Sequence, residues 1–436
     1  MLNAKYVRDN LDAIRASLKK RKSDYPLEEL LKLDEEYRKI GVELQDLRMK
    51  RNKGSIEVSE LKKAKKEVSN GKMKELADLK ERIDGIEASM PSYETRIDSL
   101  VMNMPNILDE NVPYGKDDKE NVEIRKHGAI IRKSSPSHEQ ILTKLGLIDL
   151  EQASRIAGAR FFYLKGDLAL LEQALIRFAI DELVAKGYTL IAPPLLMRRE
   201  FYKGVTAFGD FEDMLYKAAD PGEAKDKKSI EHMEDELYMI GTSEHPIAAM
   251  YADKVLSGNE LPKRFIGISP CFRREAGAHG KDTKGIFRVH HFYKVEQFIF
   301  SKKEESQALF GELIENAEGL FKKLKIPYRV VDVCTGDIGT VAARKNDIEA
   351  YMPAQQEYRE MVSCSNCTDW QALRLNIKYD DSQGKRQHAH TLNSTAIATT
   401  RALVAIVENY YNDDGTITVP DVLVKYMGKS MIGKQQ

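Results

Sequence analysis

Five side chains in one stretch of this 436-residue sequence could do chemistry together: Arg273, Glu275, Arg288, Phe292 and Glu296. Residues 270–300, PCFRREAGAHGKDTKGIFRVHHFYKVEQFIF, read as two strands joined by a long turn. Arg273 and Glu275 are two apart and so share a face of the first strand. Arg288, Phe292 and Glu296 are spaced by four and share a face of the second. The turn, 276–285, holds Gly277, Gly280 and Gly285, which let a backbone run close to a ligand. Two guanidiniums, two carboxylates and a ring on one sheet face suit a nucleotide.

The pattern FRxE, a glycine-rich turn, then FRVHHFYKVEQF resembles motif 2 of class II aminoacyl-tRNA synthetases, with wording closest to the seryl-tRNA synthetase family. The resemblance extends over nearly the whole chain. It implies that Arg273, Arg274, Glu275, Arg288, Val289 and Phe292 meet ATP. Arg273 would stand at the α-phosphate and Phe292 under the adenine, with Glu275 accepting from the adenine amino group and Val289 offering its backbone. Residues 358–363, YREMVS, resemble the family segment that meets ATP and its cation, which assigns Glu360, Met361, Val362 and Ser363 to ATP. Within it Glu360 and Ser363 would hold Mg²⁺, since a carboxylate facing a polyphosphate needs a bridging cation.

Residues 390–410, HTLNSTAIATTRALVAIVENY, resemble motif 3, with Arg401 on the γ-phosphate and over the second face of adenine. Where many bacterial members have Gly-Ser-Gly, this chain has Ser394-Thr395-Ala396. The middle hydroxyl is kept, and the departure points to the archaeal and eukaryotic branch. Residues 238–245, YMIGTSEH, resemble the loop that binds the amino acid, here through Thr242, Ser243 and Glu244. A carboxylate is the natural partner of an ammonium, so Glu244 and Thr242 are expected there. Glu296, Asn393 and Thr395 are candidates for the serine hydroxyl, and Arg273 also reaches the amino acid. The residues alone do not divide these roles further. The implied reaction makes seryl-adenylate from serine and ATP, then loads the tRNA 3′ end. Arg273 and Arg401 are its catalytic residues, acting by charge, and no side-chain nucleophile is required.

These groups must be carried by a body and, ahead of it, by something that reaches tRNA. Residues 7–20 suggest one small helix. Leu30, Leu33, Tyr37, Ile40, Leu44 and Leu47 then alternate spacings of three and four, and the rule resumes from Leu76 to Leu100. Two such limbs predict an antiparallel coiled coil over about 28–102 with its tip near 64–71. Each limb would reach roughly 50 Å. Arg48, Arg51, Lys62, Lys63, Lys65 and Lys66 near the tip form a basic surface suited to a phosphate backbone. In the family such an arm grips the serine tRNA, and the selenocysteine tRNA where one exists. Pro105 and Pro113 end the helical part, giving an N-terminal domain of 1–110 and a catalytic domain of 119–430. The latter holds motif 1 at 166–196, motif 2 at 264–300 and motif 3 at 390–410. The fold class is α+β, an arm followed by an antiparallel sheet flanked by helices. Motif 1, a long helix and a short strand ending at Pro193 and Pro194, implies a homodimer.

Lys and Arg total 68 against 68 Asp and Glu, so any nucleic-acid contact must be local. The chain has no apolar run of about 18 residues and no apolar leader, so no membrane role is expected. Four cysteines indicate a reducing compartment, and the reading is cytoplasmic. Cys364-Ser-Asn-Cys367 lacks a second pair, because Cys271 and Cys334 are isolated, so no structural zinc is expected. An amino-acid ligase for a carrier protein would keep the motifs and lack the arm. A non-catalytic RNA-binding relative would have lost a motif arginine or glutamate, and Arg273, Glu275, Glu296 and Arg401 are all present.

Overall fold

The two heptad runs form two long helices, α3 (Leu27–Lys63) and α4 (Asn70–Met102), in a computed structural model describing residues 4–207, 212–218, 236–275 and 284–433. The expected insert at 218–236 and the turn glycines Gly277 and Gly280 lie almost wholly outside the described residues. The chain divides into the units Leu2–Met104 and Pro105–Gln436.

In the first unit the short N-terminal segment is two helices, α1 (Ala4–Asp9) and α2 (Leu11–Arg21), not the single one that its pattern suggests. The break falls at Asn10, whose backbone leaves the helical region (φ −121°, ψ 21°) and whose side-chain amide donates to the Tyr6 carbonyl at 2.9 Å. Leu44, Leu47 and Ile83 close the seam of α3 against α4, flanked by Leu79, Ile86 and Met90. Ion pairs cross it at Glu29–Arg96 (2.7 Å), Glu43–Arg82 (2.6 Å) and Glu57–Lys72 (3.0 Å), so numbers rise on one limb as they fall on the other. The limbs are antiparallel. The turn occupies 64–69, and Ser69 caps α4 by accepting from the Lys72 backbone N–H. Among the described residues Arg48 and Lys72 are committed to glutamates, whereas Lys62, Lys63, Lys65 and Lys66 at the tip are exposed.

The second unit is built on eight strands: β1 (Val122–His127), β2 (Thr189–Ile191), β3 (Lys263–Phe272), β4 (His291–Ser301), β5 (Tyr328–Asp332), β6 (Arg344–Met352), β7 (Glu357–Thr368) and β8 (His390–Ala398). Their order is β1-β5-β6-β7-β8-β4-β3-β2, antiparallel throughout except for the β2/β3 pair. Five helices matter for the site: α5 (His138–Lys144), α6 (Asp167–Val184), α7 (Glu244–Ala249), α8 (Ser306–Lys323) and α9 (Thr399–Asn409). Leu171 and Leu175 of α6, Leu313 of α8 and Leu403 of α9 bury against Val295, Ile299, Ile348, Val362 and Leu392 of the sheet. That cluster covers one sheet face and leaves the other for polar groups. This is the expected α+β architecture. Among the described residues no helix is long and apolar enough to cross a membrane.

Two strands carry an extra residue. Ile348 faces Val362 and Glu349 faces Glu360, so Met361 is the bulged position in β7. Val295 faces Ile397 and Glu296 faces Thr395, so Ala396 is the bulge in β8. Each bulge shifts which face the following side chains occupy.

Candidate active site

A polar cavity of about 380 Å³ opens on the sheet face away from the helix layer. Its walls come from Arg273 and Glu275 just past β3, residues 287–289, β4, β6, β7, β8, the first turns of α7 and α9, and a loop at 337–342.

Arg273 and Glu275 do not share a strand face as expected, because both lie beyond the end of β3. β3 ends at Phe272, one residue before Arg273, and Glu275 has left-handed backbone with φ 49°. Both side chains still line the cavity. Tethers do what alternation was expected to do: Arg273 N–H donates to the His290 carbonyl at 2.9 Å and its Nε to the Gly241 carbonyl at 3.1 Å. Glu275 Oε2 accepts from Arg288 Nη1 at 2.7 Å, and Arg288 stands before β4 begins. The Arg273 guanidinium lies 5.3 Å from the Phe292 ring centre, and that of Arg401 lies 5.1 Å from the Phe287 ring centre.

At one end of the cavity two carboxylates face inward. Glu244 Oε1 accepts from Asn393 Nδ2 and from Gln371 Nε2, each at 3.1 Å, while the Glu244 N–H donates to Thr242 Oγ1 at 3.1 Å. Burial, reinforced by the neighbouring Glu296, pushes the Glu244 carboxyl up to about 7. Glu296 is held by Lys294 at 2.6 Å, and Thr395 Oγ1 donates to it at 3.4 Å. The bulge at Ala396 allows this arrangement, sending Thr395 into the cavity while Ala396 and Ile397 both enter the core. His245, next in the chain, stays neutral because burial drives its pKa down to about 3.

The other end is richer in cations: Arg288, Lys345 and Arg401 reach it, and Arg273 lies between the two ends. Arg401, in the first turn of α9, donates to the Glu360 carbonyl at 2.9 Å and lies 3.4 Å from its Oε1. Burial acts to raise the Glu360 carboxyl, but Arg401, Lys345 and Arg273 outweigh it and hold it below the usual range. Its side chain is crowded by these groups yet 46% exposed, on the cavity side. Glu360 and Ser363 are three apart and would point to opposite faces of a regular strand. The Met361 bulge brings both to the cavity. Beside them Lys345 pairs with buried Asp347 at 3.4 Å, and burial raises the Asp347 carboxyl despite that ammonium.

The cavity therefore gathers Thr242, Glu244, Arg273, Glu275, Arg288, Val289, Phe292, Glu296, Glu360, Met361, Ser363, Asn393, Thr395 and Arg401. Three expected residues stand elsewhere. Val362 is in the hydrophobic core. Ser243 is buried against Gly267, where a Cβ would come within 2.6 Å of its Oγ. Arg274 lines a separate small cavity with Tyr216 and Lys217. Lys294, Lys345, His245, Cys367 and the loop at 337–342 line the site without having been expected there. Lys294 was legible, since it shares the even-numbered face of Phe292 and Glu296.

The chain matches the family "Seryl-tRNA synthetase N-terminal domain" over residues 1–108 and "tRNA synthetase class II core domain (G, H, P, S and T)" over 227–410. It is 46% identical to the serine–tRNA ligase of Methanocella arvoryzae over 434 residues, 98% of this chain and 99% of that one. Among solved structures it resembles the seryl-tRNA synthetase of Pyrococcus horikoshii complexed with ATP, at 43% identity, TM-score 0.89 and 100% coverage of both chains. It also resembles the cytoplasmic serine–tRNA ligase of Naegleria fowleri in complex with AMP, at 35% identity, TM-score 0.84 and coverage of 99% and 97%.

Proposed function

The chain belongs to the seryl-tRNA synthetase family, and from that premise we propose how its residues divide the work of a serine–tRNA ligase. The reaction joins serine to ATP as seryl-adenylate with release of pyrophosphate, then passes the seryl group to the tRNA 3′ end. The observation that carries the assignment is the charge layout of the cavity, with Glu244 and Glu296 beside Lys294 at one end, Arg288, Lys345 and Arg401 with Glu275 and Glu360 at the other, and Arg273 between them.

Serine enters with its ammonium at Glu244, oriented by Asn393 and Thr242, and its hydroxyl at Glu296 and Thr395. The hydrogen bonds favour this division, because Asn393 binds Glu244 whereas Thr395 binds Glu296. Lys294 holds the Glu296 side chain in place at 2.6 Å. Alanine, lacking the hydroxyl, would forfeit the bonds to Glu296 and Thr395 in a buried pocket, a discrimination that reaches roughly 10⁴-fold in sites of this kind.

Arg273 lies between the two ends, where the serine carboxylate attacks the α-phosphate, and its fixed charge stabilises the oxygens on which charge develops. Arg401 takes the γ-phosphate. Glu275 keeps Oε1 for the adenine amino group while Oε2 holds Arg288. Phe292 lies under the base, which would replace or sandwich the Arg273 guanidinium now above it. Glu360 and Ser363 suit Mg²⁺: an ionised carboxylate and a hydroxyl on one face, hard oxygen donors, with the remaining positions left to phosphate and water. When bound, the ion neutralises phosphate charge.

The arm offers tRNA its exposed Lys62, Lys63, Lys65 and Lys66. The protein works as a homodimer through the surface around β2, where Leu190, Leu195 and Leu196 are exposed beside an apolar cavity lined by Pro193, Pro194 and Phe201. The four cysteines are free, which suits the cytoplasm. ATP–pyrophosphate exchange with each of the twenty amino acids, with and without tRNA, tests the whole reading. Exchange with serine far above all others is expected, and exchange with another amino acid, or none, defeats it.

A further inference from the structure

Outside the cavity, one buried histidine ties two of its walls together. Ser137 caps α5, so His138 opens that helix with its ring pointing inward, 8% exposed. Its Nε2 accepts from the Ile286 backbone N–H at 3.1 Å, so that nitrogen carries no proton. In the neutral ring the proton is then on Nδ1, which donates to Glu408 Oε1 at 3.1 Å. The same oxygen takes the His138 backbone N–H at 3.2 Å, and Glu408 Oε2 takes the Ala354 N–H at 3.1 Å. Glu408 is in the last turn of α9, the helix whose first turn carries Arg401.

The chain approaching Ile286 is shaped to the ring. Gly285 has φ 73°, and a Cβ there would lie 2.0 Å from His138 Nε2 and 2.8 Å from its Cδ2. Glycine alone meets both demands. Immediately beyond it Phe287, Arg288 and Val289 enter the cavity, and the Phe287 ring supports the guanidiniums of Arg359 and Arg401 at 4.6 and 5.1 Å. A single imidazole thus fixes a loop against the helix that carries Arg401.

We propose that His138 is a positioning residue for ATP, a neutral clamp that holds the backbone at 285–289 against α9. The proposal rests on the assignment of Arg288 and Val289 to ATP. It is specific to ATP, because none of the groups assigned to serine is on that loop.

The test is serine-dependent pyrophosphate exchange with separate titrations of ATP and serine. His138→Ala is expected to raise the KM for ATP about tenfold and leave the KM for serine within about twofold. His138→Gln, whose amide oxygen can still accept from Ile286, is expected to recover most of the loss, and His138→Asn, which is too short, is not. Gly285→Ala alone is expected to cost about 100-fold in kcat/KM for ATP, and markedly less in the His138→Ala background, where only the backbone strain remains. Equal rises in both KM values, multiplication of the two losses, or equal KM for ATP in the Gln and Asn variants would overturn the clamp. If the Ala variant does not fold, the Gln and Asn pair still decides. Arg288→Ala separates the proposal from its premise. A normal KM for ATP in that variant rejects the loop assignment, whereas an impaired one beside normal His138 variants rejects the clamp alone.

Discussion

Acidifying a serine-activation assay from pH 8 to 5.5 is expected to weaken the enzyme towards serine far more than towards ATP. Glu244 is the cause. Its carboxyl titrates at about 7 in the empty cavity, and only the carboxylate can receive the serine ammonium. Below that value the competent fraction falls, so kcat/KM for serine should drop about 10-fold by pH 6 and about 30-fold by pH 5.5. ATP should be nearly indifferent. Glu360 stays ionised across the window, and protonating Asp347 makes its end of the cavity more cationic, which does not repel phosphate. His245 adds nothing, being neutral throughout. Stability should move the opposite way. A carboxyl raised in the folded state stabilises fully below its unfolded value, and that contribution is lost as pH rises through about 7. The free enzyme should therefore gain about 2 kcal/mol of stability from this group between pH 8 and 5.5 while its use of serine declines. Exchange kinetics and thermal melts at half-unit pH steps, repeated on Glu244→Gln, separate Glu244 from other groups. A flat serine profile, or the same slope in Glu244→Gln, would refute the assignment.

Three further outcomes follow from the same geometry. Arg273→Ala and Arg401→Ala should each lower serine-dependent exchange by at least about 10²-fold, the scale of one lost charge-stabilising group, and parental exchange in either removes it from the phosphates. Replacing the arm from Leu30 to Leu100 with a short linker should spare exchange but sharply reduce tRNA charging, since Tyr25 already bonds the Leu100 carbonyl at 2.7 Å where the limbs begin and end. Normal charging by that variant would make the arm mere scaffold; neutralising Lys62, Lys63, Lys65 and Lys66 should likewise raise the KM for tRNA and flatten its salt dependence. Leu190→Glu with Leu196→Glu should convert a dimer to monomers by light scattering, and a monomeric parent with full activity would exclude the homodimer.

What could be read from the residues was whatever depends on local spacing. The limbs were visible because Leu30, Leu33, Leu44 and Leu47 repeat at helical intervals, and a coiled coil is little more than that repeat. Phe292 and Glu296 were paired correctly by strand alternation, and Lys294 could have joined them. The rest depends on partners distant in sequence. Nothing in YREMVS announces that Met361 is bulged, because a bulge is defined by the register of β7 against β6. The end of β3 at Phe272 is likewise set by what surrounds Arg273. His138 gave no signal at all, lying 148 residues from the amide that it accepts.

The extra residue at Met361 has a meaning for how this chain tolerates change in length. Deletion and insertion are not equivalent there. With Met361 removed, Glu360 and Ser363 would be two apart, and a regular strand would still carry both to the cavity face. With one residue added beside Met361 and the bulge kept, the pair would fall on opposite faces, and one of the two would turn towards the apolar layer around Ile348 and Val362. The parity of the spacing between the two proposed cation ligands is thus as much a part of the site as their identities.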